Sequence, residues 1–118
     1  MITEDEIKAA GANVAPRITP ADLKANIASE HYFTAGDGCH GQQTIGTPDR
    51  ASVYPSSLDL LTFCVLVLKN GFTVTGESAC ASPENFNAEI GRKIARENAV
   101  AKIWPLMGYE LKSKLSGH

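Results

Sequence analysis

The side chains with the clearest chemistry in this sequence are those that could bind a small anion. Arg92 and Arg96 stand four residues apart, about one helical turn, and a guanidinium group can donate two parallel hydrogen bonds to phosphate oxygens. Aromatic rings can stack on a flat ligand, and hydroxyls can donate to its oxygens. Our candidate ligand-binding set, to which we assign no catalytic role, is His31, Tyr32, Thr34, Ser78, Arg92 and Arg96.

Structural roles compete with this interpretation. Tyr32 and Phe33 could anchor a core, with His31 on the surface, because aromatic rings usually contribute to core packing. The arginines could form a solvated helix face with nearby glutamates. Residues 77–82 supply hydroxyls and free N–H groups ahead of a helix, the ingredients of an anion site, but ordinary helix capping explains them equally.

The three cysteines and His40 offer weaker chemistry. Cys39-His40 carries the ligand types that zinc prefers, but the sequence lacks the paired spacing of a zinc site, and we predict no metal and no cofactor. Cys80 precedes a helix start, a position that lowers a thiol pKa, yet no motif places a histidine beside it. The sequence therefore favours a binding protein over an enzyme.

A β-hairpin is the element that must position these residues. The predicted strands are Leu61–Lys69 and Phe72–Glu77, and Asn70-Gly71 suits a two-residue type I′ turn, which needs positive φ at both central positions. The register that follows pairs Lys69 with Phe72, Val67 with Val74 and Val65 with Gly76.

The first strand is apolar on both faces. Leu61–Leu68 shows almost no polar alternation, and an isolated two-stranded ribbon is marginal in water. Helices or a second copy of the chain must therefore cover the hairpin. We expect a homo-oligomer whose interface brings copies of Arg92 and Arg96 together.

Capping signals predict the helices. A short one begins at Thr3, and Thr19-Pro20-Ala21-Asp22 starts another that runs to about His31. Ser82-Pro83-Glu84 opens the principal helix, Pro83–Trp104, which packs Phe86, Ile90 and Ile94 against the hairpin. Pro105 stops or kinks it, and Leu106–Leu115 continues as a second helical segment.

These elements predict one α+β domain, residues 1–118. An antiparallel hairpin or small sheet packs against a long C-terminal helix, with one or more short helices at the N-terminus. Residues 36–57, rich in Gly, Ser, Thr and Pro, form a long loop that could fold over a ligand or remain a mobile tip. Ser57 starts a single helical turn that leads into the hairpin.

Composition narrows the function classes. The net charge of −2 argues against a nucleic-acid polymer as partner, since such binders carry a basic surface. The sequence shows no apolar run near the ~20 residues of a membrane helix and no secretory leader, and an odd cysteine count fits reduced thiols. We expect a cytoplasmic protein.

Three stretches resemble a family of small proteins from tailed bacteriophages and prophages: ITPADLKANIASEHYFTA, LTFCVLVLKNGFTVTGESACASPENFNAEIGRKIARENA and IWPLMGYELKSKL. The resemblance transfers no catalytic residue. It implies expression in the infected bacterial cytoplasm and an accessory role against host enzymes, restriction or signalling immunity.

The anion-binding set and this resemblance together suggest a counter-defence protein that sequesters a small nucleotide-like signal at an oligomer interface. One alternative is an inhibitor that binds a host protein directly through an apolar patch. A second is a small thiol-dependent enzyme using Cys80.

Overall fold

The computed structural model describes residues 2–118, in which one long helix packs on one face of a three-stranded antiparallel sheet. The helices are α1 (Glu4–Ala9), α2 (Pro20–Ala25), α3 (Ala35–Gln43) and α4 (Ala88–Leu115). The strands are β1 (Ile27–Thr34), β2 (Leu61–Leu68) and β3 (Thr73–Ala79), with β2 in the centre. The predicted α+β fold class, with its short N-terminal helices, is confirmed.

The second helix is shorter than predicted, and a strand follows it. α2 begins as expected, since Thr19 and Asp22 form a capping box, but it ends at Ala25 and not at His31. Ile27–Thr34 instead pairs antiparallel with β2. The pairing satisfies the backbone groups along the outer edge of β2, which the sequence analysis had left open.

The turn between β2 and β3 has three residues, Lys69–Gly71, where the sequence predicted two. The Leu68 N–H donates to the Phe72 carbonyl at 2.8 Å, and the Gly71 N–H donates to the Leu68 carbonyl at 2.9 Å. Gly71 has a φ of 87°, but Asn70 does not have the positive φ that a type I′ turn requires. A type I turn closed by a left-handed glycine is the usual three-residue alternative.

This longer turn moves the register by one residue, so the predicted cross-strand pairs were wrong. The structure pairs Val67 with Thr73, Leu66 with Val74, Val65 with Thr75 and Cys64 with Gly76. A shift of one residue reverses which face each β3 side chain occupies relative to β2. Val74 thereby joins the core with Leu66 and Cys64.

α4 buries a stripe of mainly small residues, spaced four apart: Gly91, Ala95, Ala99 and Ile103. The predicted helical phase was wrong, because Ile90 and Ile94 are 55% and 42% exposed. The reason is Gly76, which lies directly beneath the helix: a Cβ there would stand 2.2 Å from the Ala95 carbonyl oxygen. Small residues allow this approach, and the isoleucines flank it.

The start of α4 also differs from the prediction. Ser82 makes no capping hydrogen bond, and Pro83–Asn85 forms a 3₁₀ turn. The N-cap is Asn87, whose side chain accepts from the Ile90 N–H at 3.0 Å. Pro105 lies inside α4 without ending it, and the predicted helical segment 106–115 is confirmed as part of one helix.

The predicted loop 36–57 contains a helix that the sequence analysis missed. α3 covers Ala35–Gln43 and begins with a capping box between Thr34 and Asp37. Its glycines disfavour a helix by about 1 kcal/mol each, which explains the wrong prediction. Gly36 is needed for packing, because a Cβ there would lie 2.1 Å from the Asp59 carboxylate oxygen.

Hydrogen bonds connect the rest of that segment to α3. The Gln43 side chain donates to the Val53 carbonyl at 2.8 Å and accepts from the Val53 N–H at 2.7 Å. His40 Nδ1 lies 2.7 Å from Ser52 Oγ. The predicted helical turn before β2 is confirmed as a 3₁₀ turn over Ser56–Leu60.

Candidate functional site

Three of the six candidate residues meet between β1 and α4. Tyr32, Thr34 and Arg92 line one cavity of about 130 Å³. Tyr32 and Thr34 lie two residues apart on β1 and so share the face that α4 covers. Arg92 follows the buried Gly91, which brings its backbone close to the sheet.

A second cavity of about 260 Å³ adjoins the first, since Thr62 and Phe86 line both. It contains Ser78, the fourth candidate, on β3. The two cavities flank the first turns of α4, where Gly91 lies against Thr62. We call the first of them, between β1 and α4, the β1–α4 groove. At about 130 Å³, the β1–α4 groove is smaller than the ~300–1,000 Å³ typical of small-ligand sites.

The fifth candidate, Arg96, is bound to a neighbouring carboxylate. Its Nε lies 3.0 Å from Glu30 Oε1 and its Nη2 lies 3.3 Å from Glu30 Oε2, a two-point ion pair between α4 and β1. Tyr32 adds a hydrogen bond, its hydroxyl donating to Glu30 Oε1 at 2.6 Å. Arg92 is therefore the guanidinium that faces the groove.

These contacts shift the pKa values of the groups that make them. The hydrogen bond from Arg96, followed by that from Tyr32, lowers the pKa of Glu30 below its ordinary 4.5. The pKa of Tyr32 is raised, first by burial and then by its hydrogen bond to Glu30. The Tyr32 hydroxyl consequently stays protonated at neutral pH and serves as a donor.

The ion pair predicts a pH dependence of stability. Since the folded-state pKa of Glu30 is lowered, its contribution is present above the ordinary pKa of 4.5 and is lost as the pH falls through the folded value. We expect Glu30→Gln to lose less stability than the wild type between neutral and acidic pH. Urea unfolding across that range measures the difference, and Glu97→Gln on the exposed side of α4 is the control. A Glu30→Gln variant with the wild-type pH profile would contradict this expectation.

The sixth candidate, His31, lies on the other face of the sheet. Its Nε2 is 3.0 Å from Ser29 Oγ, and both residues point away from α4. Neighbouring strand residues occupy opposite faces, so His31 and Tyr32 cannot form the predicted joint stacking platform. That prediction assumed a helix exit at these positions.

The unpredicted residues of the site include Glu30, Asp37, Thr62 and Phe86. Two had a signal in the sequence. Thr62 is a hydroxyl within an otherwise apolar strand, and Glu30 precedes Tyr32 and Thr34 at strand spacing. The Asp37 carboxylate, which also lines the groove, accepts the Thr34 N–H at 2.9 Å, so capping occupies part of its acceptor capacity.

The cysteines lie in separate environments. Cys64 is fully buried, and burial raises the pKa of its thiol. Cys80 lines the second cavity, where its Sγ lies 3.1 Å from the Ser82 carbonyl oxygen. Between residues 2 and 118, no three His, Cys, Asp or Glu side chains are arranged to share a metal ion.

No helix in the described part of the chain combines the length and the apolar character needed to cross a membrane. α4 is 28 residues long, but charged side chains recur along it. In the β1–α4 groove, the Arg92 guanidinium, the rings of Tyr32 and Phe86 and the hydroxyls of Thr34 and Thr62 line one cavity.

Comparison with known proteins gives one result. No curated protein and no solved structure matches the chain. A protein-family model matches residues 18–115, which include β1, the hairpin and α4 and with them every residue of the groove. The resemblance to phage proteins is thereby confirmed: the chain belongs to the Phage protein (N4 Gp49/phage Sf6 gene 66) family.

Proposed function

We propose that this phage protein is an accessory, counter-defence protein that binds a small anionic, nucleotide-like ligand in the β1–α4 groove and leaves it chemically unchanged. It would thereby withdraw a signal from the host in the bacterial cytoplasm. The observation that carries the proposal is the convergence of Arg92, Tyr32 and Thr34 on one cavity.

The groove residues suit one phosphate and one ring. Arg92 can form a charge-assisted, two-point contact with phosphate oxygens, and the Thr34 and Thr62 hydroxyls stand on the same cavity wall. Phe86, at the junction of the two cavities, offers an apolar ring surface for a base. A ligand with several adjacent phosphates fits less well, because the Asp37 carboxylate also faces the cavity.

Binding without turnover is supported by the protonation of Tyr32. A general base needs a pKa near the working pH, and the pKa of Tyr32 is raised well above its ordinary 10.0. The hydroxyl, whose proton is donated to Glu30 Oε1, can accept a hydrogen bond from a ligand but is poorly suited to remove a proton from it.

The test uses a matched pair of charge reversals. Arg92→Glu should abolish ligand binding, whereas Lys93→Glu, with the same charge change at an exposed neighbour, should retain it. Thermal shift over a panel of cyclic and linear nucleotides measures binding, since a ligand at 100 times its Kd adds about 2.7 kcal/mol of stability. Mass spectrometry of the recovered ligand measures conversion.

Three outcomes would contradict the proposal. A converted nucleotide would indicate an enzyme. Equal weakening by both variants would indicate non-specific attraction. If no nucleotide stabilised the protein, the proposed ligand would be excluded and direct inhibition of a host protein would be favoured. Arg96→Glu is excluded from the test because it would place a second carboxylate against Glu30 and disturb the fold.

A further inference from the structure

The central strand β2 is apolar on both of its faces, but α4 covers only one. Cys64, Leu66 and Leu68 point toward α4 and are buried. The alternate residues point away from the helix and are partly exposed: Leu61, Phe63, Val65 and Val67. Strands with this pattern are usually covered on both sides.

No helix of residues 2–118 forms a second layer over this outer surface. The smallest Cα dimension of the molecule is 17 Å, which accommodates one helix layer on one sheet, since packed layers stand about 10 Å apart. Phe33 of β1 extends the apolar surface, lying 40% exposed with its ring stacked on Phe63 at a centroid distance of 5.6 Å. We call this surface the open face.

The open face has the composition of an interface centre with a rim. Its middle is the apolar row of β2, and its two sides are mainly polar. The flanking residues are Ser29 and His31 on β1 and Thr73, Thr75 and Glu77 on β3. An apolar centre within a polar border is typical of protein–protein interfaces.

The chain also exposes more area than a compact monomer. Its accessible surface is 8150 Å², whereas a folded monomer of this mass exposes about 6,200 Å². Its radius of gyration is 18.8 Å, compared with about 13–14 Å for a compact domain of this length. The excess of about 1,950 Å² is larger than the ~800 Å² per partner that a stable interface buries.

We propose that the open face docks on the same face of a second copy of this chain, related by a two-fold axis. The two sheets would pack face to face, and each apolar β2 row would gain its missing cover. A second copy fits because the face is self-complementary in composition and Glu77 is its only carboxylate within residues 2–118.

This arrangement changes the expected relation between oligomer and ligand. Tyr32, Thr34 and Arg92 lie on the opposite side of the sheet, although Phe33 lines both surfaces. The dimer therefore leaves these three residues accessible and does not bring the two Arg92 residues together. Dimerisation can therefore be tested separately from binding of the proposed ligand.

Light scattering coupled to size-exclusion chromatography tests the dimer. The same change, valine to lysine, is made at the interface and at a control site. The wild type should be a dimer at micromolar concentration. Val65→Lys should weaken dimerisation at least ~100-fold, because an unpaired charge would be desolvated at the interface centre. Val14→Lys, at a residue 90% exposed and outside the strands, should remain a dimer.

Circular dichroism establishes that each variant is folded, and Val67→Lys replaces Val65→Lys if the latter is not. A monomeric wild type would overturn the proposal. So would a folded Val65→Lys or Val67→Lys variant that stays dimeric. A monomeric, folded variant that still binds ligand would support the dimer and its separation from the groove.

Discussion

Replacing Gly76 by alanine is expected to destabilise the protein by about 3 kcal/mol or more. The added methyl group would meet backbone atoms of α4, with the Ala95 carbonyl oxygen at 2.2 Å and the Ala99 nitrogen at 2.3 Å. Backbone atoms cannot rotate away as a side chain can, so the whole helix must move from the sheet. Urea denaturation measures the loss.

Gly108→Ala is the matched control for this prediction. Gly108 lies within α4, and no atom stands within 4 Å of a Cβ built there. The same added methyl should therefore stabilise the helix, by up to about 1 kcal/mol. Similar effects at the two glycines would show that the close approach of α4 to β3 is not as described.

Ile103→Ala is expected to cost about 2–5 kcal/mol of folding free energy. Ile103 is fully buried at the end of the small-residue stripe, where it packs in the cluster with Leu23 and Leu68. Removing three carbons there leaves a cavity that the surrounding side chains can only partly fill. Thermal or chemical unfolding measures the difference.

Ile94→Ala makes the same change on the same helix at a site 42% exposed, and should cost less than about 1 kcal/mol. The sequence-based phase of the helix predicted a large loss at Ile94. If Ile94→Ala lowered the free energy of unfolding more than Ile103→Ala, the predicted helical phase would be supported and the structure contradicted.

The close packing of α4 also shapes the candidate site. Gly91 lies over Thr62, and a Cβ at Gly91 would stand 3.1 Å from the Thr62 hydroxyl oxygen. Arg92 therefore reaches the wall of the groove directly, while the larger Phe86 stays at the junction of the two cavities. The same small residues that hold the helix on the sheet also place Arg92 at the edge of the groove.

The sequence by itself determined the features that depend on neighbouring residues. The caps at Thr3 and Thr19, the left-handed Gly71 and the long C-terminal helix each follow from interactions within a few positions. Membership of the phage family could also be inferred from the sequence, because the resemblance lies in contiguous stretches. The chemistry of Arg92 and Tyr32 made them candidate ligand-binding residues, but the sequence did not show that the two lie close together.

Only the tertiary structure decided which elements pair and which faces meet. Residues 27–34 became a strand because β2 offered an unpaired edge, and the glycine-rich α3 formed because Gly36 packs on Tyr54 and Asp59. The three-residue turn sets the hairpin register, which places Gly76 beneath the helix, and the close fit there sets the phase of α4. Such choices are made by contacts between residues distant in the chain, which outweigh local preferences of about 1 kcal/mol per residue.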